Sequence, residues 1–155
     1  MLNLSSDGEN AAILLEQVIE SINNKDKESL AALFSERSLQ EAPDLDENID
    51  ALFSFIQGPI EGWEKKSGPT VFETTNYGNE VKEVNSYFYI TTSEQEYFFL
   101  FQDYPVYTGH PDNVGLYLLL VVKEEERLEI YDGDNKILFD GDTELKPAGI
   151  YLPIK

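Results

Sequence analysis

The stretch AAILLEQVIESINNKDKESLAALFS, residues Ala11–Ser35, decides the fold of this chain. Apolar residues recur in it every three or four positions on both sides of a polar break, Asn23–Lys25, which predicts two amphipathic helices. Asp26 stands where the N-cap of the second helix is expected. Each helix has an apolar stripe to bury, so the chain that follows must supply a broad apolar surface. The stripes comprise Ala11, Leu15, Ile19 and Ile22 in the first helix and Leu30, Leu33 and Phe34 in the second.

A third helix and then a set of strands are predicted after this stretch. Leu45–Ile56 repeats apolar residues at helical spacing, between an acidic cap and the stop signal Gly58–Pro59. The segment Glu61–Gly68 has no clear period and is expected to be a loop. Beyond it the chain is rich in β-branched and aromatic residues, with turn residues between them. The predicted strands are Val71–Tyr77, Lys82–Thr91, Gln95–Val106 and Val114–Lys123, with a weaker pair at Arg127–Tyr131 and Lys136–Asp140.

The strands are expected to pair antiparallel, because the connection Thr92–Gln95 is too short for a parallel crossover. The strand Glu96–Gln102 is apolar on both faces, which indicates burial on both sides, one against the helices and one against a curved sheet or a partner. Helices followed by a meander of strands indicate an α+β fold, with N-terminal helices packed on a curved antiparallel sheet. The length fits a single domain over residues 1–155, of which 1–10 are expected to be a flexible N-terminus.

The chain is strongly acidic, with 30 acidic and 11 basic residues and a formal net charge of −19. The acidic residues are spread over the whole length, so nucleic acids and anionic membranes are unfavourable partners. Two explanations of the charge stay open at this point. It serves solubility alone, or it steers the protein electrostatically towards a basic protein partner.

The absence of cysteine excludes disulfides, thiolate metal sites and a lipid on an N-terminal cysteine. No apolar run is long enough for a membrane span, and the first residues do not resemble a signal peptide. These features favour a cytoplasmic location. The alternative is the mature form of an exported lipoprotein from which the signal and the lipidated cysteine have been removed.

The segment LLEQVIESINNKDKESLAALFS resembles the opening helices of the nuclear-transport-factor-2-like superfamily, a cystatin-like cone that also hosts ketosteroid isomerases and polyketide cyclases. Four later segments resemble one uncharacterised bacterial branch, a domain-of-unknown-function group often found as small lipoproteins or solitary domains. The lipoprotein members carry a signal and a lipidated cysteine that this chain lacks. The resemblance implies a cone fold and transfers no catalytic residue. The four segments are DALFSFIQGPI, NYGNEVKEVNSYFYITTSEQEYFFLF, PDNVGLYLLLVV and AGIYLPI.

An acid/base site is one hypothesis, because a cone of this type can enclose a pocket. Such a site needs a carboxylate base and a hydrogen-bond donor in an apolar cavity. Asp103 follows the apolar strand, with Tyr104, Tyr107 and the single histidine, His110, close in sequence. The same residues are equally typical of a strand end and a turn. The candidate residues for a pocket or its mouth are Trp63, Tyr87, Tyr89, Asp103, Tyr107 and His110, and no catalytic residue, cofactor or metal is assigned.

Two further features have a structural and a functional interpretation. Trp63 in the predicted loop either covers one end of the core or, if it is exposed with Phe72 and Tyr77 nearby, marks a contact surface of the kind that aromatic hot spots make.

The segment YDGDNKILFDGDTE, residues Tyr131–Glu144, has the oxygen ligands of a calcium loop but fails the EF-hand spacing in both registers. A hairpin with Asp-Gly turns explains it.

Three functions follow from these observations as hypotheses. The first is a non-enzymatic acidic binding protein, of the inhibitor or immunity type, for a basic partner. The second is a carrier that binds a small apolar ligand in the cone. The third is a ketosteroid-isomerase-like or cyclase-like enzyme that uses Asp103. A homodimer through the sheet face is also compatible with the doubly apolar strand Glu96–Gln102.

Overall fold

Helices come first and strands second in this chain, as its computed structural model shows for residues 5–127 and 148–152. The predicted strand segments 128–131 and 136–140, and the Asp-Gly segment, lie outside these residues. Two single-turn 3₁₀ helices, Pro111–Asn113 and Glu124–Glu126, flank β4. The elements are α1 (Ser5–Asn24), α2 (Lys27–Ala32), α3 (Glu36–Glu41), α4 (Leu45–Phe55), β1 (Ile60–Asn76), β2 (Asn79–Thr92), β3 (Glu96–Tyr107), β4 (Gly115–Lys123) and β5 (Gly149–Tyr151).

The strands of the described residues form one curved, open sheet in the order β1-β2-β3-β4-β5. Neighbours from β1 to β4 pair antiparallel, whereas β5 joins the edge of β4 in parallel. The predicted hairpin at Thr92–Gln95 is confirmed, because it connects the antiparallel strands β2 and β3. The predicted α+β class, with N-terminal helices followed by a curved sheet, is confirmed as well. No helix in the described part of the chain has the length and apolar character needed to cross a membrane.

The helix break predicted at Asn23–Lys25 is present, and Asp26 caps α2 as expected. Its carboxylate accepts a hydrogen bond from the backbone N–H of Ser29 at 3.1 Å. Lys25 adopts a positive φ of 52° at the break. Helix α1 begins at Ser5, so residues 5–10, which we expected to be flexible, belong to a helix.

Two sequence-based expectations are wrong. The first is the number of helices, because α3 was not predicted. It has only six residues, and its N-cap is Ser35, whose hydroxyl accepts from the backbone N–H of Ser38 at 3.1 Å. The second is the loop at Glu61–Gly68, which lies within β1. An edge strand that exposes most of its residues needs no apolar alternation, so the period that identifies a half-buried strand is missing there.

Apolar side chains pack on both faces of the sheet. The inner face, which the helices cover, carries most of the core, including Phe88, Phe99 and Phe101. The outer face carries a second apolar cluster that includes Phe98 and Leu100, which are 1% and 5% exposed in the single chain. The prediction that β3 is buried on both sides is therefore confirmed. Burial within one chain explains the doubly apolar strand without a second copy, and the sheet-face homodimer stays a prediction.

The helical layer is joined to β4 by main-chain hydrogen bonds. The N–H of Leu116 donates to the carbonyl of Leu33 at 3.0 Å, and the N–H of Ser35 donates to the carbonyl of Leu116 at 2.9 Å. Gly115 permits this close approach. Its φ is 128°, and a Cβ atom there would lie 3.0 Å from the backbone nitrogen of Ser35.

Candidate functional site

An open cavity of about 780 Å³ lies between the first turns of α1 and strands β1 and β2. Its apolar lining comes from Ala12 on α1, Trp63 and Val71 on β1, and Phe88 on β2. Trp63 also lines a second hollow of about 390 Å³, which continues along α1 to Asn23 and Asn24. We call the two hollows together, on either side of Trp63, the α1–β1 groove. From the level of Asp7 to that of Asn24 it follows about 25 Å of helix at 1.5 Å per residue.

Helix α1 is attached to the sheet at both ends of the α1–β1 groove. At one end the Lys82 ammonium lies 2.9 Å from Asp7 Oδ1 and 3.5 Å from Glu73 Oε2. The hydrogen bond with Asp7 raises the pKa of Lys82. At the other end Asn23 accepts from the backbone N–H of Ile60 at 2.8 Å and donates to its carbonyl at 3.2 Å. These contacts hold the helix beside β1 and keep the groove between them.

Trp63 is the aromatic centre of the groove. Its ring meets Phe88 edge-on, with centroids 5.4 Å apart, and 37% of the residue is exposed. Phe72 and Tyr77, elsewhere on β1 and at its hairpin turn, are 57% and 98% exposed. Trp63 therefore lies in a strand and not in a loop, and it is partly exposed. Phe72 and Tyr77 lie farther along the chain towards the hairpin turn and not beside Trp63, so of the features expected of a contact surface only the exposure is present.

The charged residues of the groove are almost all acidic. Six carboxylates line its two hollows, against the single lysine Lys65. Two of the six share Lys82 as a counter-ion, and the other four make no ion pair among the described residues. The groove thus combines an apolar aromatic lining with uncompensated negative charge. The six are Asp7, Glu9, Glu16, Glu20, Glu61 and Glu73.

Asp103 lies on the inner face of the sheet, in register with the buried residues Val84 and Leu116. Register shifts flank it on both sides, between β2 and β3 and between β3 and β4. Burial raises the pKa of Asp103 to about 6, against the opposing effect of a hydrogen bond from the Tyr104 backbone. Ser86, a diagonal neighbour in the same register, is 1% exposed, and its hydroxyl has no hydrogen-bond partner in the part of the chain that the structure describes.

A separate polar cluster lies at the outer face, near α3. The Arg37 guanidinium stacks 4.6 Å from the Tyr117 ring centroid and pairs with Glu41 at 3.3 Å. The Tyr117 hydroxyl donates to the same Glu41 carboxylate. Burial disfavours the charged guanidinium and so lowers the pKa of Arg37. The hydrogen bond with Tyr117 and the charge of the Glu41 carboxylate outweigh burial and raise this pKa. Burial also raises the pKa of Tyr104, whose hydroxyl donates to Glu83 at 3.1 Å.

The six candidate residues from the sequence are not brought together. Trp63 lies in the α1–β1 groove and Asp103 on the inner face. Tyr87 and Tyr89 pack on the outer apolar cluster. The remaining pair is Tyr107 and His110, whose rings meet edge-on at 5.7 Å at the end of β3.

Sequence reasoning missed most of the groove and, apart from Tyr104, the polar cluster near α3. Lys82 and Asp7 are 75 residues apart, and no local pattern links them. Arg37 and Glu41, at helical i,i+4 spacing, were a local signal, but α3 itself was not predicted. In the described ranges, no three acidic or histidine side chains converge on a common metal position.

Comparison with models of protein families gives a match over most of the chain. A family model described as "Domain of unknown function (DUF5104)" matches residues 17–124. The matched residues run from within α1 to the end of β4, and they include the β1 side of the α1–β1 groove. No curated protein matches the chain.

Proposed function

The chain belongs to the DUF5104 family, and from that premise and the α1–β1 groove we propose that it is a non-enzymatic binding protein for a basic partner protein, of the inhibitor or immunity type. The observation that carries the proposal is the combination, along one groove, of an exposed tryptophan and four carboxylates that have no counter-ion among the described residues. Exposed aromatic side chains supply contact energy, and surplus charge of one sign accelerates encounter with a partner of the opposite sign.

The net charge of −19 also supports this function, because the acidic residues that produce it are spread over the whole length of the chain. A field of this sign raises the association rate with a basic protein and repels nucleic acids and anionic membranes. As part of the proposal, the fold is the nuclear-transport-factor-2-like cone, supported by helices packed on a curved open sheet. A cytoplasmic location also belongs to the proposal.

A small-ligand carrier or an acid/base enzyme is the second candidate function. The cavity of about 780 Å³ is large enough for a small molecule, and a buried carboxyl whose pKa is raised to about 6 is typical of general acids and bases. Asp103, however, is not among the residues that line the α1–β1 groove. The binding protein is therefore preferred.

The test starts from cell extract of the source organism that has been separated into acidic and basic fractions. Proteins that cross-link to the purified chain are identified by mass spectrometry, and each is then purified and measured in pairwise binding. We expect a partner from the basic fraction, with an association rate that falls by about tenfold or more between low and high salt. Cross-linking of only acidic proteins, or an association rate that salt does not change, would contradict the proposal.

A further inference from the structure

We propose that the α1–β1 groove is the contact site itself, and that it takes a segment of basic polypeptide in which lysine or arginine side chains flank an apolar one. This inference rests on the proposed function, because it names the site and the chemistry of the partner.

The apolar position of the segment is assigned to the surface around Trp63. Trp63, which is 37% exposed, lines both hollows of the groove. An apolar side chain of the partner would remove this surface from water, at about 25 cal/mol for each Å² buried.

The cationic positions of the segment are assigned to the carboxylates along α1 and β1. Glu16 and Glu20 are one helical turn apart, and Glu61 belongs to the same hollow. None of the three has an ion pair within the described ranges, whereas Asp7 and Glu73 are occupied by Lys82. A neutral apolar ligand would fill the groove without compensating this charge, and an acidic one would be repelled. Charge complementarity therefore selects a basic segment.

The segment is assigned to the groove and not to the free side of β1. Within the described residues β1 pairs only with β2, so its other side could accept an added strand. Three register irregularities, two adjacent lysines and Pro69 interrupt that strand. These are the devices that protect an edge strand against further pairing. Lys65 and Pro69 also line the groove, but a segment bound there makes side-chain contacts and needs no pairing with the β1 main chain.

Trp63 supplies the readout, because it is the only tryptophan in the chain. The probes are synthetic peptides without tryptophan: one of alternating lysine and leucine, one with glutamate in place of lysine, and one with serine in place of leucine. We expect the lysine–leucine peptide to shift the Trp63 emission saturably, with an affinity about tenfold or more above that of either of the other two.

The matched variants are two charge reversals with the same change of net charge. Glu16→Lys/Glu20→Lys places both changes in the groove, and Glu28→Lys/Glu47→Lys places them on exposed positions of α2 and α4. We expect the first variant to lose about tenfold or more in affinity for the lysine–leucine peptide and the second to lose much less. Trp63→Phe, read by calorimetry, should weaken binding with little effect on folding.

Equal losses for the two charge reversals would overturn the inference, since the peptide would then sense only the net charge. So would binding of the peptide without any change in Trp63 emission. These outcomes leave the proposed function standing if a basic partner has been found by cross-linking. Failure to find such a partner contradicts the proposed function instead, so the two failures are distinguishable.

Discussion

The Lys82 ammonium lies 2.9 Å from the Asp7 carboxylate and so joins the first turns of α1 to strand β2. The side chains are 24% and 16% exposed, which shields the pair partly from water. Glu73 on β1 approaches the same ammonium at 3.5 Å. Three elements therefore meet at one cation, at the end of the α1–β1 groove.

Replacement of this cation should weaken the attachment of α1. We expect Lys82→Met to lower the free energy of unfolding by about 0.5–1 kcal/mol, because the pair is only partly buried. Urea denaturation at low and high salt measures the change, which should shrink at high salt. Lys65→Met, in the same groove lining, is the control and should change stability less. An unchanged midpoint for Lys82→Met would show that the ion pair does not hold the helix.

Stability should depend on pH through Asp103. Because burial raises the pKa of its carboxyl to about 6, the folded state binds the proton more tightly than the unfolded state, whose pKa is about 4. The contribution of protonated Asp103 to the free energy of unfolding is then fully present below pH ~4 and is lost as the pH rises through about 6.

The matched substitution is Asp103→Asn, which keeps the side chain neutral at every pH. We expect it to stabilise the protein at pH 8 by up to about 3 kcal/mol, which corresponds to two pKa units, and to have little effect at pH 4. Chemical denaturation across this pH range is the measurement, with exposed Glu64→Gln as the control. Destabilisation at pH 8 would mean that the ionised carboxylate makes contacts that favour the fold.

Two buried serines should respond to alanine in opposite directions. The Ser86 hydroxyl has no hydrogen-bond partner among the described residues, so Ser86→Ala removes an unsatisfied group and should be neutral or stabilise by about 1 kcal/mol. The Ser38 hydroxyl donates to the carbonyl of Tyr117 at 2.7 Å, so Ser38→Ala should destabilise by about 1–3 kcal/mol. Thermal unfolding of the two variants gives the comparison. A clear loss of stability in Ser86→Ala would indicate a partner for that hydroxyl, such as a buried water.

Glycine is required at position 115 and not at position 62. A Cβ at Gly115 would meet the Ser35 backbone at 3.0 Å, in a backbone conformation with φ of 128°, so Gly115→Ala should cost about 2–4 kcal/mol. A Cβ at Gly62 meets no atom within 4 Å, and Gly62→Ala should stay within about 0.5 kcal/mol of the wild type. Denaturant midpoints test both. Similar values for the two variants would be incompatible with the close approach of Ser35 to β4.

The buried strands could be predicted from the sequence because their composition is unlike that of any other part of the chain. Strand β4, with seven consecutive buried residues, has few alternatives to a central position in a sheet. The opening helices were predictable because apolar residues recur in them at helical spacing, and such a stripe needs a surface to cover. These elements set the class of the fold.

The groove could be predicted only in part. Trp63 was a candidate residue in the sequence, either as a cover over one end of the core or as a contact residue, but its surroundings depend on how β1 and α1 approach each other. Residues 61–68 contain one large apolar side chain, Trp63, and no apolar alternation, so neither their strand nor its register with β2 was visible in the sequence. The contact between Asp7 and Lys82 depends on that register and on the start of α1. Long-range packing of this kind leaves no periodic signal.

The two hydrogen bonds that Leu116 makes with Leu33 and Ser35 also bear on how the molecule opens. They cross from the helical layer to the sheet through main-chain atoms, so they do not depend on the side chains of Leu33, Ser35 or Leu116. The helices and β4 would then open as one cooperative unit. The amide protons of Ser35 and Leu116 should be among the slowest to exchange with deuterated solvent, close to the limit set by global unfolding. A partner bound in the α1–β1 groove would slow that exchange further, at a distance from its own contacts.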